Sequence, residues 1–241
     1  MRSFKLISSL SSTLTIALLA LTPVAAAAAT TGPGTTTNNL TTVSNGYVAD
    51  GTGSAEASSN AQFTVAPGSL TLNQVPNIAL GSVNVKSIAT ADTTLPVTSG
   101  TTTGGTTYDG NNTGALSVSD YRGDHAGWTL TVGMGPFTSG TDTVTTAQLD
   151  LNQTLGSVDN TTTAAPIDLT LSQGTVTNGW ISNPETAWLA EANSGEGANT
   201  ATTASSSKLT ISKQPLISAG TYTATLYWAL QNAPVAVTPA H

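Results

Sequence analysis

The chain has 241 residues, of which only 8% are charged, with 6 basic against 13 acidic side chains and no cysteine. The length admits one large β-domain with extended ends. The missing cysteine excludes disulfide stapling, and the acidic balance excludes binding to nucleic acid or anionic membrane through bulk charge. Thr, Ser, Asn, Gln and Gly carry the remaining polarity, which favours strands and turns over helix bundles.

Arg2 and Lys5 open the chain, Leu6 to Leu21 is apolar, and Pro23 with Ala25 to Ala29 offers A-x-A cleavage choices. Residues 1–29 therefore read as a secretory signal peptide rather than a retained anchor, because small residues replace a basic stop-transfer flank. Cleavage would leave Lys86, Arg122, Lys208 and Lys213 against thirteen acidic residues, a net charge of −9, and no membrane span. Residues 30–60, rich in Thr, Gly and Asn, read as a flexible lead with one strand near Tyr47.

The folded domain is expected over 61–238. Its candidate strands are Phe63–Val65, Leu70–Leu72, the apolar run Ile78–Val85, Leu116/Val118, Leu149/Leu151, Ile167/Leu169/Leu171, Val176–Ile181 and Leu209/Ile211. Thr98–Thr107 reads as a loop. Asn183 as a cap with Pro184 at the first position gives Asn183–Glu191 the signature of a short helix, and the Gly/Ala/Ser/Thr tract after it reads as another loop. The expected fold is all-β, a single antiparallel β-sandwich or barrel-like domain with long Thr/Gly/Ser-rich loops and room for one short helix.

Two further strands stand out. Asp120–Val132 and Tyr222–Pro234 each hold Trp-x-Leu inside a period-two alternation: Ala126, Trp128, Leu130 and Val132 in one, Tyr222, Ala224, Leu226, Trp228 and Leu230 in the other. Trp and Leu of each motif thus share a strand face. The two faces can pack into one core or build one aromatic surface. As core, each Trp is worth roughly 3–5 kcal/mol on truncation to Ala. As a sugar-stacking surface, one ring burying about 100 Å² gives roughly 2.5 kcal/mol, short of the ~8 kcal/mol of a micromolar site. A second aromatic, polar neighbours and many copies on a polymeric wall would be needed to make up the rest.

At these segments the chain resembles the WxL-domain family of surface proteins from low-GC Gram-positive bacteria. Asp120, Arg122, Gly123, Gly127, Trp128 and Leu130 match the first signature; Tyr222, Leu226, Trp228, Leu230, Ala233 and Pro234 match the second. Gly68–Leu72 with Val75-Pro76 resembles the start of such domains. The resemblance implies non-covalent attachment to the cell wall, with peptidoglycan or another wall polymer as ligand, through Trp128, Leu130, Trp228 and Leu230. It also implies co-secretion with other WxL proteins and a membrane-anchored companion. The second hypothesis is accordingly a structural or adhesive subunit whose main partner is another WxL chain, that companion, or host matrix.

The remaining motifs read more plainly. Arg122-Gly123-Asp124 spells an adhesion tripeptide, but Arg122 and Gly123 already belong to the signature. Asp120 and Arg122 can pair and fix the loop before Trp128; an exposed pair is worth about 0–1 kcal/mol, so its value would be geometric. Leu95–Thr98 resembles a sortase signal without its Gly, its apolar tail or its terminal position, which leaves non-covalent retention. Asp109–Gly114 clusters oxygens but lacks the EF-hand pattern, so a solvated turn is preferred to a metal site. No nucleophile or metalloprotease motif occurs, and His125 and His241 are the sole imidazoles. Carboxylate pairs such as Asp120/Asp124 or Asp150/Asp159 lack any sign of a cleft between them. The expectation is a non-enzyme with no cofactor.

Overall fold

The structure, a computed structural model, describes Gly51, residues 59–98, Thr102 and residues 110–234. The expected signal peptide, nearly all of the 30–60 lead, and Asp109 lie outside the described residues. The chain divides into two compact units, Met1–Val65 and Ala66–His241. In the first, the described residues carry no strand or helix. Phe63–Val65 is therefore not a strand. No helix among the described residues is long and apolar enough to cross a membrane.

The second unit is nearly all β, with several antiparallel sheets. One four-stranded sheet has the order β1 (Leu70–Gln74), β3 (Ala115–Asp120), β13 (Gly197–Thr203), β8 (Gln153–Val158). Another has the order β2 (Thr93–Pro96), β14 (Lys208–Ile211), β7 (Ala147–Leu151), β9 (Leu169–Ser172). Asn152 alone separates β7 from β8, and its backbone is tied to Ser207 Oγ and Ala204 N across the β13–β14 link. These two sheets therefore share one kinked antiparallel ribbon.

A three-stranded sheet, β12 (Glu185–Ala190), β4 (Trp128–Met134), β15 (Leu226–Gln231), covers both. Its central strand explains the layering. Trp128, Leu130, Val132 and Met134 alternate onto one face, and all four are buried. The Trp128/Leu130 end packs with Leu116, Val118, Trp188, Ala190 and Ala201. The Val132/Met134 end packs with Leu149, Leu151, Leu171, Leu209 and Ile211. One apolar strand thus joins two core clusters, each drawing on a different sheet below.

Four sequence expectations fail here. Asn183–Glu191 is not a helix: Asn183 takes a left-handed φ of 54°, and β12 pairs along β4 instead. Tertiary pairing outweighs the capping signal. The tract after it is not a loop throughout, since Gly197–Thr203 forms β13 at the middle of its sheet, with Asn199 and Ala201 buried. Ile78–Val85 forms no strand; the helix α1 (Val85–Thr90) starts there, capped by Asn84 Oδ1 accepting from Ser87 N at 2.9 Å. Val176–Ile181 is a hairpin, β10 (Val176–Thr177) and β11 (Trp180–Ile181), whose Asn178-Gly179 turn has φ of 54° and 79°, both positive as a type I′ turn requires.

Candidate functional site

The two Trp-x-Leu segments come together as neighbouring strands. β15 pairs antiparallel with β4 so that Trp228 faces Val132 and Leu230 faces Leu130. On the other side, Trp188 of β12 faces Leu130 and Ala190 faces Trp128. Leu130 is thus bracketed by Trp188 and Leu230.

The rings differ in environment. Trp128 is fully buried, meets Trp188 edge-to-face at 5.3 Å and 78°, and donates Nε1 to Gly195 O at 3.1 Å. Trp188, also fully buried, donates to Ala164 O at 2.8 Å. Both rings are therefore core, with their polar atoms satisfied. Trp228 and Leu230 are half-buried. Trp228 packs against both clusters, and its Nε1 is buried without an acceptor among the described residues. Its ring borders a cavity of about 280 Å³, lined also by Pro76, Ile78, Phe137, Leu149 and Tyr222.

The polar residues of the first motif lock it to the end of the second. Arg122 Nε donates to Asp120 Oδ1 at 2.9 Å and Nη2 to Asp120 Oδ2 at 2.7 Å, a bidentate pair. The same guanidinium reaches Gly127 O at 2.7 Å and Asn232 O at 2.9 Å. Thr129 Oγ1 adds a bond to Ala233 O at 3.1 Å. Arg122 holds the Asp120 carboxyl below its ordinary range, with burial opposing. The pair is not the exposed one expected, since Asp120 is only 4% exposed, so breaking it strands a buried charge. Arg122 is committed inward, and an Arg-Gly-Asp arm is not presented.

Gly127 has φ 74°, and a Cβ there would overlap Ala190 O, so only Gly fits between the strands. Gly123 has the same φ, with open space around it. Tyr222 donates its hydroxyl to Ser218 O at 3.1 Å and packs against the core cluster at the Val132/Met134 end of β4; Leu226 faces Met134; Pro234 is the last described residue.

Asp150, Asp159 and Glu196 have structural partners. Asp150 accepts from Thr170 Oγ1 at 2.8 Å and Asp159 from Ala198 N at 2.8 Å. His125 Nδ1 lies 2.9 Å from Glu196 Oε1, and Asn160 Nδ2 donates to Oε2 of the same carboxyl. Chiefly through the His125 contact, Glu196 also sits below its ordinary range. Asn111 Nδ2 donates to Val75 O and Ala115 O while its Oδ1 accepts from Thr113, a turn organised by its own side chain. No group of three His, Cys, Asp or Glu that could hold a metal gathers among the described residues.

The profile of the WxL domain, described as surface cell wall-binding, matches residues 52–234 and so spans both motifs. The chain belongs to the WxL domain family. No curated protein and no solved structure matches it. As a WxL protein it carries a domain for binding the cell wall at the surface, in a family that is not catalytic. Sequence reasoning missed Trp188, which completes the aromatic core of this WxL domain, although Thr186, Trp188 and Ala190 alternate legibly. It also missed Asn232 and Gly195, which act through backbone carbonyls and leave no sequence signal.

Proposed function

We propose that this WxL protein is secreted and held non-covalently on the wall by binding peptidoglycan, through one module that both Trp-x-Leu strands build. The observation that supports this reading best is the pairing of β4 with β15 inside a chain matched by a wall-binding family. In this reading residues 1–29 are removed on export and 61–238 form the wall-binding domain. Trp128, Leu130, Trp228 and Leu230 serve it by holding the module together, and the Asp120–Arg122 pair fixes the loop between the strands.

Purified peptidoglycan sacculi, sedimented with the mature protein, test the proposal. Wild type is expected in the pellet, with sacculus turbidity unchanged because no hydrolysis occurs. Protein that stays in the supernatant without a companion WxL chain, and enters the pellet only with one, would replace direct binding by the subunit reading.

A further inference from the structure

The face of β4 opposite its apolar row carries Thr129, Thr131, Gly133 and, just past the strand end, Gly135. The two glycines clear room for the β10–β11 hairpin. A Cβ at Gly133 would lie 2.7 Å from Ile181 Cγ2, and one at Gly135 would lie 3.3 Å from the Tyr227 ring and 3.8 Å from Val176 Cγ2. Ile181 is buried there as the hairpin's anchor. Val176, the register partner of Ile181, shares its side of the hairpin and is 40% exposed, while Trp180 is 44% exposed. Trp180 meets half-buried Tyr227 edge-to-face at 5.5 Å and 76°. Trp128 and Trp188 are fully buried and Trp228 is half-buried, so Trp180 is the most accessible indole of the four.

The charge around these rings is as informative as their exposure. On a chain that is strongly acidic overall, residues 169–184 and 214–234, which supply Val176, Trp180 and Tyr227, contain no Asp, Glu, Lys or Arg. The residues next to Trp180 and Val176 in the sequence are neutral, among them Thr175, Thr177, Asn178 and Ser182. A flat indole with hydroxyl and amide neighbours suits the apolar face of a pyranose ring, whose rim hydroxyls and amides can pair with uncharged donors and acceptors.

We propose that Trp180, with Tyr227 and Val176 beside it, is the surface on which the protein stacks an uncharged wall glycan, a chain of N-acetylated pyranose rings. This rests on the wall-binding reading above and names the contact within it. The Trp-x-Leu strands then support the surface from beneath: Tyr227 precedes Trp228 on β15, so the motif that packs inward also presents the ring that faces out.

The test compares wild type, Trp180→Ala, Trp180→Leu and Trp180→Tyr on intact sacculi and on sacculi stripped of anionic polymers, with thermal unfolding as the control for folding. Trp180→Ala and Trp180→Leu are expected to keep the wild-type unfolding midpoint and to bind roughly 50-fold more weakly on both preparations. Trp180→Tyr should retain most binding, because it keeps a flat ring. Wild-type retention by a folded Trp180→Ala would overturn the stacking surface and leave wall binding intact. Wild-type retention by Trp180→Leu would show that apolar bulk suffices without a ring and would overturn it too. Loss of wild-type binding on stripping would overturn the glycan as ligand, and failure of wild type on both preparations would remove the wall-binding reading itself.

Discussion

At the residue scale, two tryptophans with the same motif position carry different loads. Trp128 Nε1 has an acceptor and its ring meets Trp188 edge-to-face, whereas Trp228 Nε1 is buried with no acceptor among the described residues. Trp128→Phe removes a satisfied bond and leaves space, so it should cost about 1–3 kcal/mol. Trp228→Phe removes an unpaired donor and should fall within about 1 kcal/mol of wild type, an ordering that urea unfolding of the two variants checks. The carboxyls of Asp120 and Glu196 both titrate below their ordinary values of 3.8 and 4.5. Depressed folded-state values mean stability that is present above the ordinary value and lost as pH falls through the folded one. Unfolding midpoints should therefore stay level from neutral pH to about pH 5 and drop below about pH 4. In Arg122→Met the Asp120 share of that drop should vanish, together with several kcal/mol of stability at neutral pH, because a buried carboxylate loses its partner. An acid limb as steep as wild type would contradict the role given to Arg122. The pairing of Asp120 with Arg122 was legible from their spacing. The bond to Asn232, 110 residues away, was not, since a backbone acceptor has no residue signature.

Elements were legible where alternation and bulk coincide. β3, β4, β7, β9 and β14 all fall on alternating Leu, Val, Ile or Trp positions, and the segment of the second motif contains β15. β13 was hidden because its buried positions are Asn199 and Ala201, small enough for a crowded central strand and indistinguishable by composition from a loop. β12 was hidden by a helix-capping pair that its pairing with β4 overrides. The β10–β11 hairpin depends on the two bare positions of the β4 segment. Gly133→Val would push against Ile181, which has no free side to move to, and should lower stability by about 1–3 kcal/mol. The same substitution should also lift the hairpin and red-shift Trp180 emission as the ring leaves Tyr227 for water, whereas an unchanged midpoint and spectrum would show that the hairpin is not seated on that glycine.

For the second unit as a whole, the arrangement is one covering sheet whose central strand serves two cores at once. In the proposed reading, Trp128 and Leu130 serve attachment from within the core, by keeping the covering sheet and what it presents in shape. The all-β class with antiparallel sheets and the family were readable from composition and motif. Which indole faces outward was not, because burial depends on the layering and not on the alternation within any one strand.

The absence of cysteine gives the most direct test of the claim that both motifs form a single wall-binding module. Thr131 and Ala229 are register partners on β4 and β15, and cross-strand partners lie about 4.5–5.5 Å apart at Cα, within disulfide reach. Sacculus retention of the oxidised Thr131→Cys/Ala229→Cys protein is the measurement. The bridge is predicted to close in the folded protein with retention equal to wild type, whereas thiols that stay free, or a closed bridge that abolishes retention, would contradict the account.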